Sequence, residues 1–358
     1  MWEANMVIIL LTMELMDVGC NTLSKAAMAK GMSNYIFTTY AHAIAFVFLI
    51  PLAFLFHRKT PSPPIGVAII LRLFLLGVLC CGCSIFLFIG IRYSSPTLAS
   101  AMNNLSPAFT FIMGIIFRME VLNLRARSSI LKSVGTLVSI GGAFIVTLYQ
   151  GMPITIFPPS PTQFSLHFPL VANETQPNWA LGGLFLFASS IFLSLSFVAK
   201  TWIARDFNSE ILITLISFFF ETIVAAVVTF LAENDTSVWT PSIHIVWIAI
   251  LFGALEVGVV NIVQTWACGK KGPLFVAMFK PLQMIIAVIM GVSFLGDVLH
   301  LGSLIGGTII ALGFYTVMRG KAEEESPKEV NESRLMYSSE EDSYSHKAPL
   351  LQNQNMDV

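Results

Sequence analysis

The chain has 358 residues, of which 55% are hydrophobic and only 11% charged, with a mean hydropathy of +0.76. A water-soluble chain of this length carries about twice that share of charge and cannot bury so much apolar surface in one or two cores, so the sequence belongs in a bilayer. At about 20 residues per crossing, the length accommodates about ten helices with short loops and excludes a globular ectodomain.

The formal net charge of −1 gives no basis for binding nucleic acid. Residues 319–358 hold five of the 20 basic and nine of the 21 acidic side chains, so the membrane body keeps 15 and 12. The cysteines, Cys20, Cys80, Cys81, Cys83 and Cys268, lie in or at the ends of apolar runs and form no disulfide framework. Cys80 and Cys83 make a C-x-x-C without a nearby His, and their small side chains suit close helix packing better than metal or redox chemistry.

Ten apolar runs are predicted as spans, at about 6–28, 36–56, 67–91, 96–117, 130–149, 179–201, 210–231, 243–267, 273–295 and 302–318. An ionisable group at bilayer depth costs at least ~2.5–3.5 kcal/mol, so each one inside a run is a candidate for a cavity or a buried pair. In the first span Glu14, Asp17, Asn21 and Lys25 share one helical arc. Either carboxyl group there is a candidate proton carrier, and a structural ion pair to a neighbouring helix is the alternative. The second span contributes Tyr40 and His42, and the fourth Asn103 and Asn104 just before Pro107. The seventh contributes Glu221 and the eighth Glu256, Asn261 and Gln264, with Asn261 and Gln264 on one face.

In the ninth span Lys280 precedes Pro281 about 10–12 Å below the surface, where the proline frees backbone carbonyls on the preceding turn. Gln283 follows one turn later. Lys280 either binds the carboxylate of an organic anion or amino acid, or pairs permanently with Glu256 or with Glu14 and Asp17. Glycines 135, 141, 142, 302, 306 and 307 have spacings that suit close helix contact. Between the halves, residues 150–178 are rich in Pro, Ser and Thr and read as an irregular connector. The tail from 319 to 358 is acidic and is predicted to be disordered, with Leu350-Leu351 resembling a weak sorting signal.

Lys and Arg favour one set of loops by eight to two, which puts both termini in the cytosol. The sequons at Asn173 and Asn234 then fall on the extracytosolic side, where glycosylation is open to them. At an offset of 177 residues, Pro96–Leu124 aligns with Pro273–Leu301 with nine identities in 29 positions. This pairs Asn103 with Lys280 and Glu120 with Asp297. Five spans per repeat is an odd number, so the second copy enters the membrane in the opposite sense. Such inverted repeats typify secondary transporters, whose substrate site lies between the halves near the midplane.

The string Tyr93-Ser-Ser-Pro-Thr-Leu-Ala-Ser to Asn104-Leu-Ser-Pro-Ala-Phe-Thr-Phe, with Arg118-Met-Glu, Gly141-Gly-Ala-Phe and Gly272-Pro-Leu-Phe-Val-Ala, resembles the plant nodulin-21-like, or walls-are-thin-related, transporters. These form part of the EamA branch of the drug/metabolite transporter superfamily. The resemblance implies an all-α polytopic membrane protein with ten transmembrane helices as two inverted five-helix EamA repeats. The repeats would cover 1–149 and 179–318, on either side of the connector. It further implies movement of amino acids or auxin-like acids across the plasma membrane or the vacuolar membrane.

The expected function is therefore secondary transport of a small organic solute by alternating access, without a cofactor and with proton coupling as a candidate feature. The candidate substrate-binding residues are Glu14, Asp17, Asn21, Tyr40, Asn103, Asn104, Glu256, Asn261, Gln264, Lys280 and Gln283. A non-transporting receptor or scaffold, or an ion channel, are the alternatives. No phosphate-binding loop, metalloprotease motif or nucleophile elbow occurs in the chain, so an enzyme is not expected.

Overall fold

The computed structural model describes residues 2–28, 31–57, 66–93, 99, 102–120, 125–149, 152–154, 179–207, 209–233, 239, 244–290 and 299–345. The connector 155–178, the sequons Asn173 and Asn234, the loop basic residues Lys30, Arg58 and Lys59, and Leu350-Leu351 lie outside the described residues, as does the side chain of Lys25.

The first repeat contains α1 (Trp2–Met28), α2 (Asn34–His57), α3 (Val67–Tyr93), α4 (Ser106–Ile116) and α5 (Arg127–Leu148). The second contains α6 (Trp179–Asp206), α7 (Glu210–Ala232), α8 (His244–Lys271), the split pair α9 (Pro273–Ala277) and α10 (Lys280–Met290), and α11 (Leu301–Ser345). The only sheet among the described residues is an antiparallel pairing of β1 (Pro153–Ile154) with β2 (Leu299–His300). Eight helices among the described residues are long and apolar enough to cross a membrane. The fourth and tenth predicted spans correspond to the short α4 and the first turns of α11.

The distribution of side chains is that of a lipid-embedded body. Phe54, Phe230, Leu231 and Val67 are each about 70% exposed or more, while Glu14, Lys132, Lys200, Glu221 and Glu256 are buried. Apolar side chains face outward because lipid tails accept them, and polar groups turn inward because only protein can satisfy them there.

The packing of the repeats is reciprocal. If α1 is exchanged for α6, α2 for α7, α3 for α8, α4 for α10 and α5 for α11, the most extensive contacts between halves have their images. Thus α3 on α6 matches α1 on α8, α2 on α8 matches α3 on α7, and α4 on α6 matches α1 on α10. The pairs α2–α7 and α5–α11 are their own images. A Cβ built on Gly135 would lie 2.8 Å from the Gly313 carbonyl, and one on Gly306 would lie 2.6 Å from the Gly142 carbonyl. Residues that ascend α5 therefore meet residues that descend α11. Equivalent helices run antiparallel, so the repeats are inverted.

Proline explains the two spans that are not continuous helices. Pro107 cannot donate to the Asn103 carbonyl, and the Ser106 hydroxyl donates to that carbonyl instead at 2.6 Å. Among the described residues of the run expected at 96–117, residues 99, 102 and 103 are helical, Asn104 and Leu105 turn, and helix resumes as α4 at Ser106. In the ninth span, Pro281 likewise cannot serve Ala277, and the chain turns at Met278 and Phe279 before α10 begins at Lys280.

The tail differs from the expectation of disorder from residue 319, because α11 continues as helix to Ser345. Lys321, Ala322 and Glu323–Glu325 are strong helix formers, and Arg319 pairs with Glu323 one turn later at 3.6 Å.

Candidate functional site

The polar stripe of α1 meets the start of α10. Lys280 Nζ lies 3.0 Å from Asp17 Oδ2 and 3.3 Å from Glu14 Oε2. Gln283 donates to Asp17 Oδ2 at 2.9 Å, and Asn21 donates to Asp17 Oδ1 at 3.2 Å. The helix break places Lys280 at the first position of α10, so Lys280 and Gln283 lie one turn apart and face α1 together. Two carboxyl groups thus share one ammonium in low-dielectric surroundings. Among the described side chains, the cluster carries an excess negative charge unless it binds a proton.

The repeat offset carries Asp17 onto Ser194, Gln283 onto Ser106 and Lys280 onto Asn103. The image contact exists and is neutral: Ser194 donates to the Ser106 carbonyl at 3.2 Å, and Ser190 donates to the Met102 carbonyl at 2.9 Å. The two halves therefore make the same helix contact, charged on one side only. Asn104, from the broken end of the fourth span, reaches Met284 Sδ on α10 at 3.3 Å.

The remaining candidates lie on other contacts. Glu256 on α8 is buried against α1, where the Cys20 thiol is hydrogen-bonded to it. Gly253, one turn earlier, leaves room for Cys20 and Phe37, since a Cβ there would lie 2.9 Å from the Phe37 ring. Tyr40 stacks on Trp247, meets Trp239 edge-on, and donates its hydroxyl to the Trp239 carbonyl at 2.7 Å. Asn261 and Gln264 do not approach Lys280 but present their oxygens to Lys200 Nζ, each at 2.8 Å. His42 pairs with Glu221 between α2 and α7.

Sequence reasoning passed over Lys200 because it stands at the edge of the run 179–201, where a lysine ordinarily snorkels to the headgroups. The helix in fact continues to Asp206 and encloses it. A second overlooked cluster joins Glu120, Lys132, Lys321 and Glu324. Lys132, with a fully buried side chain, contacts Glu120 and Glu324 at 2.8 Å each, and Lys321 contacts Glu120 at 3.1 Å. Arg118 at φ +55° closes α4 in a left-handed turn, with Met119 and Glu120 donating to the Gly114 carbonyl. That turn aims Glu120 inward and gives the Arg118-Met-Glu string a structural role.

A hollow of about 240 Å³ between α2, α3 and α7 is lined by residues including Tyr35, Thr38, Cys81, Ser84, Phe88 and Thr229. A second, of about 310 Å³, adjoins Met6, Lys271, Phe275, Met318 and Lys321. Neither hollow is lined by Lys280, Glu14 or Asp17.

Inverted helical repeats with a charged contact between them define a polytopic membrane transporter rather than an enzyme. The family model described as the EamA-like transporter family matches residues 6–148 and 180–319, and the chain belongs to that family. It is 43% identical to a WAT1-related protein of Arabidopsis thaliana over 97% of this chain and 95% of the relative. It is 38% identical to a second such protein over 99% and 96%. A solved crystal structure superposes with a TM-score of 0.66, covering 90% of this chain and 99% of that one. At 15% identity this likeness bears on the fold alone.

Proposed function

We propose that the chain is a secondary carrier of a small organic solute, an amino acid or an auxin-like acid, working by alternating access between its two repeats. One observation carries this reading: Lys280 of the second repeat is held by Glu14 and Asp17 of the first, in a centre with one more acid than base. A proton taken up there neutralises the excess charge and loosens the hold of α1 on α10. Solute movement can in this way be tied to proton movement. The neutral image contact at Ser194 and Ser106 favours the same reading, because only one of the two equivalent gates then responds to protonation. The basic loops put both termini on the cytosolic side, in the plasma or the vacuolar membrane.

Flux in proteoliposomes containing the purified chain tests this. A panel of radiolabelled amino acids and aryl acetic acids should include a solute that accumulates when a pH gradient is imposed. Asp17→Asn or Glu14→Gln should abolish accumulation while leaving exchange. Flux indifferent to the gradient would reduce the carrier to a uniporter, and no flux of any solute by folded protein would overturn the reading.

A further inference from the structure

We infer that Lys200, and not Lys280, is the group that receives the carboxylate of the transported solute. The inference rests on the carrier reading and assigns its substrate a chemistry: a compact monocarboxylate with an apolar body.

Most cations inside the helix bundle are neutralised by carboxylates. Lys280 has Glu14 and Asp17, Lys132 has Glu120 and Glu324, and Lys321 has Glu120. At the rim Arg72 has Asp206. Lys200 differs: it is buried, and among the described residues its hydrogen-bond partners are two neutral amides, Asn261 Oδ1 and Gln264 Oε1. No carboxylate of the described residues lies within ion-pair distance of it. The amide of Asn261 cannot turn away, because its nitrogen donates to the Val257 carbonyl at 3.0 Å and fixes the oxygen toward Lys200. Two acceptors engage two of the three ammonium hydrogens, and among the described residues no third acceptor engages the remaining one.

A cation costs several kcal/mol at this depth, and a neutral side chain would fill the same space without that cost. Packing therefore does not account for the positive charge, whereas an arriving anion does. The surroundings suit an apolar acid. Lys200 Nζ lies 5.8 Å from the Phe197 ring. Phe197 belongs to the buried cluster that contains Phe275 of α9 and Phe279 of the α9–α10 break. The repeat offset maps Lys200 onto Leu23 and Asn261 onto Ser84, so the cationic centre has no counterpart in the first repeat. A carboxylate bound there would be held by the second repeat alone, one helix away from the break that carries Lys280.

The test is binding to the full chain in nanodiscs, with tritiated indole-3-acetate as probe and unlabelled indole-3-acetate, its neutral isostere indole-3-acetamide, and decanoate as competitors. Wild-type protein should prefer the acid to the amide by at least about tenfold, the scale set by losing one buried charge contact. Lys200→Gln and Lys200→Met should bring the ratio near one, and Lys200→Arg should keep part of it. A wild type that treats acid and amide alike, a preference that survives both neutral substitutions, or tighter binding of decanoate than of the aryl acid would each overturn the assignment.

Should the neutral variants misfold, photolabelling of the wild type decides. A diazirine derivative of the acid should label residues 193–204, and labelling confined to α1 or α10 would overturn it. Binding with the expected preference but without flux would refute the carrier reading and leave Lys200 as a carboxylate-binding group. Flux without acid preference would do the reverse.

Discussion

The Nε2 atom of His42 lies 3.0 Å from Oε1 of Glu221, joining the second helix of one repeat to the second helix of the other. Nδ1 is 2.7 Å from the Thr38 carbonyl, which only accepts, so Nδ1 carries a hydrogen. The contact at Nε2 then holds one more proton, on the ring or on the carboxyl group. Removing either partner leaves the other buried against Phe218 or α2 without its hydrogen bond. His42→Leu and Glu221→Leu should each destabilise the protein by about 1–3 kcal/mol. The double variant should recover part of that loss, because no orphaned polar group remains. Thermal unfolding in one detergent measures all three, and singles as stable as the wild type would show that the pair contributes nothing.

Lys280 is expected to matter for stability as well as for coupling. Lys280→Gln leaves Glu14 and Asp17 facing each other, and Lys280→Gln with Glu14→Gln relieves that repulsion. The single variant should unfold at a lower temperature than the double. The reverse order would mean that the ammonium does not neutralise these carboxyl groups.

The cluster around Lys132 makes the start of the tail part of the body. Lys132→Met should cost about 1–3 kcal/mol, since the buried Glu120 then keeps only Lys321 as a cationic partner among the described residues. A chain ending after Arg319 loses Lys321, Glu323 and Glu324 and should be destabilised, whereas one ending after Ser345 should match the full chain. Equal midpoints for the two truncations would place the ion-pair network among exposed pairs of little consequence.

The α5–α11 seam discriminates between neighbouring glycines. Gly313→Ala puts a methyl group 2.5 Å from the Ser139 amide nitrogen, and Gly142→Ala one at 2.8 Å from the Gly306 carbonyl. Both should lower the yield of folded protein. A Cβ at Gly141 meets nothing within 4 Å, so Gly141→Ala should be neutral or stabilise the helix by up to about 1 kcal/mol. Yield and thermal midpoint in parallel preparations check this contrast.

The fold was largely legible in the sequence, because lipid thickness, the repeat offset and the glycine spacing are all local or periodic signals. Glu14, Asp17, Lys280 and Gln283 stood out as polar groups in apolar runs, but their pairing did not. Glu256 was an equal candidate for Lys280 until packing turned it toward Cys20. Tyr40 is held by Trp239 and Trp247, which approach it only once α8 has docked on α2. Lys200 was hidden by its place at the margin of a hydropathy window. The helical start of the tail was hidden because its anchors, Glu120 and Lys132, lie nearly 200 residues earlier in the chain.

The glycine-to-glycine seam also limits how this protein can move. Gly135 meets Gly313 and Gly142 meets Gly306, two turns further along each rod. Slippage by a single residue would drive a side chain into the opposing backbone at both points. Shear along this line is therefore disfavoured, and under the proposed alternating access α5 with α11 would be the axle on which the two halves tip.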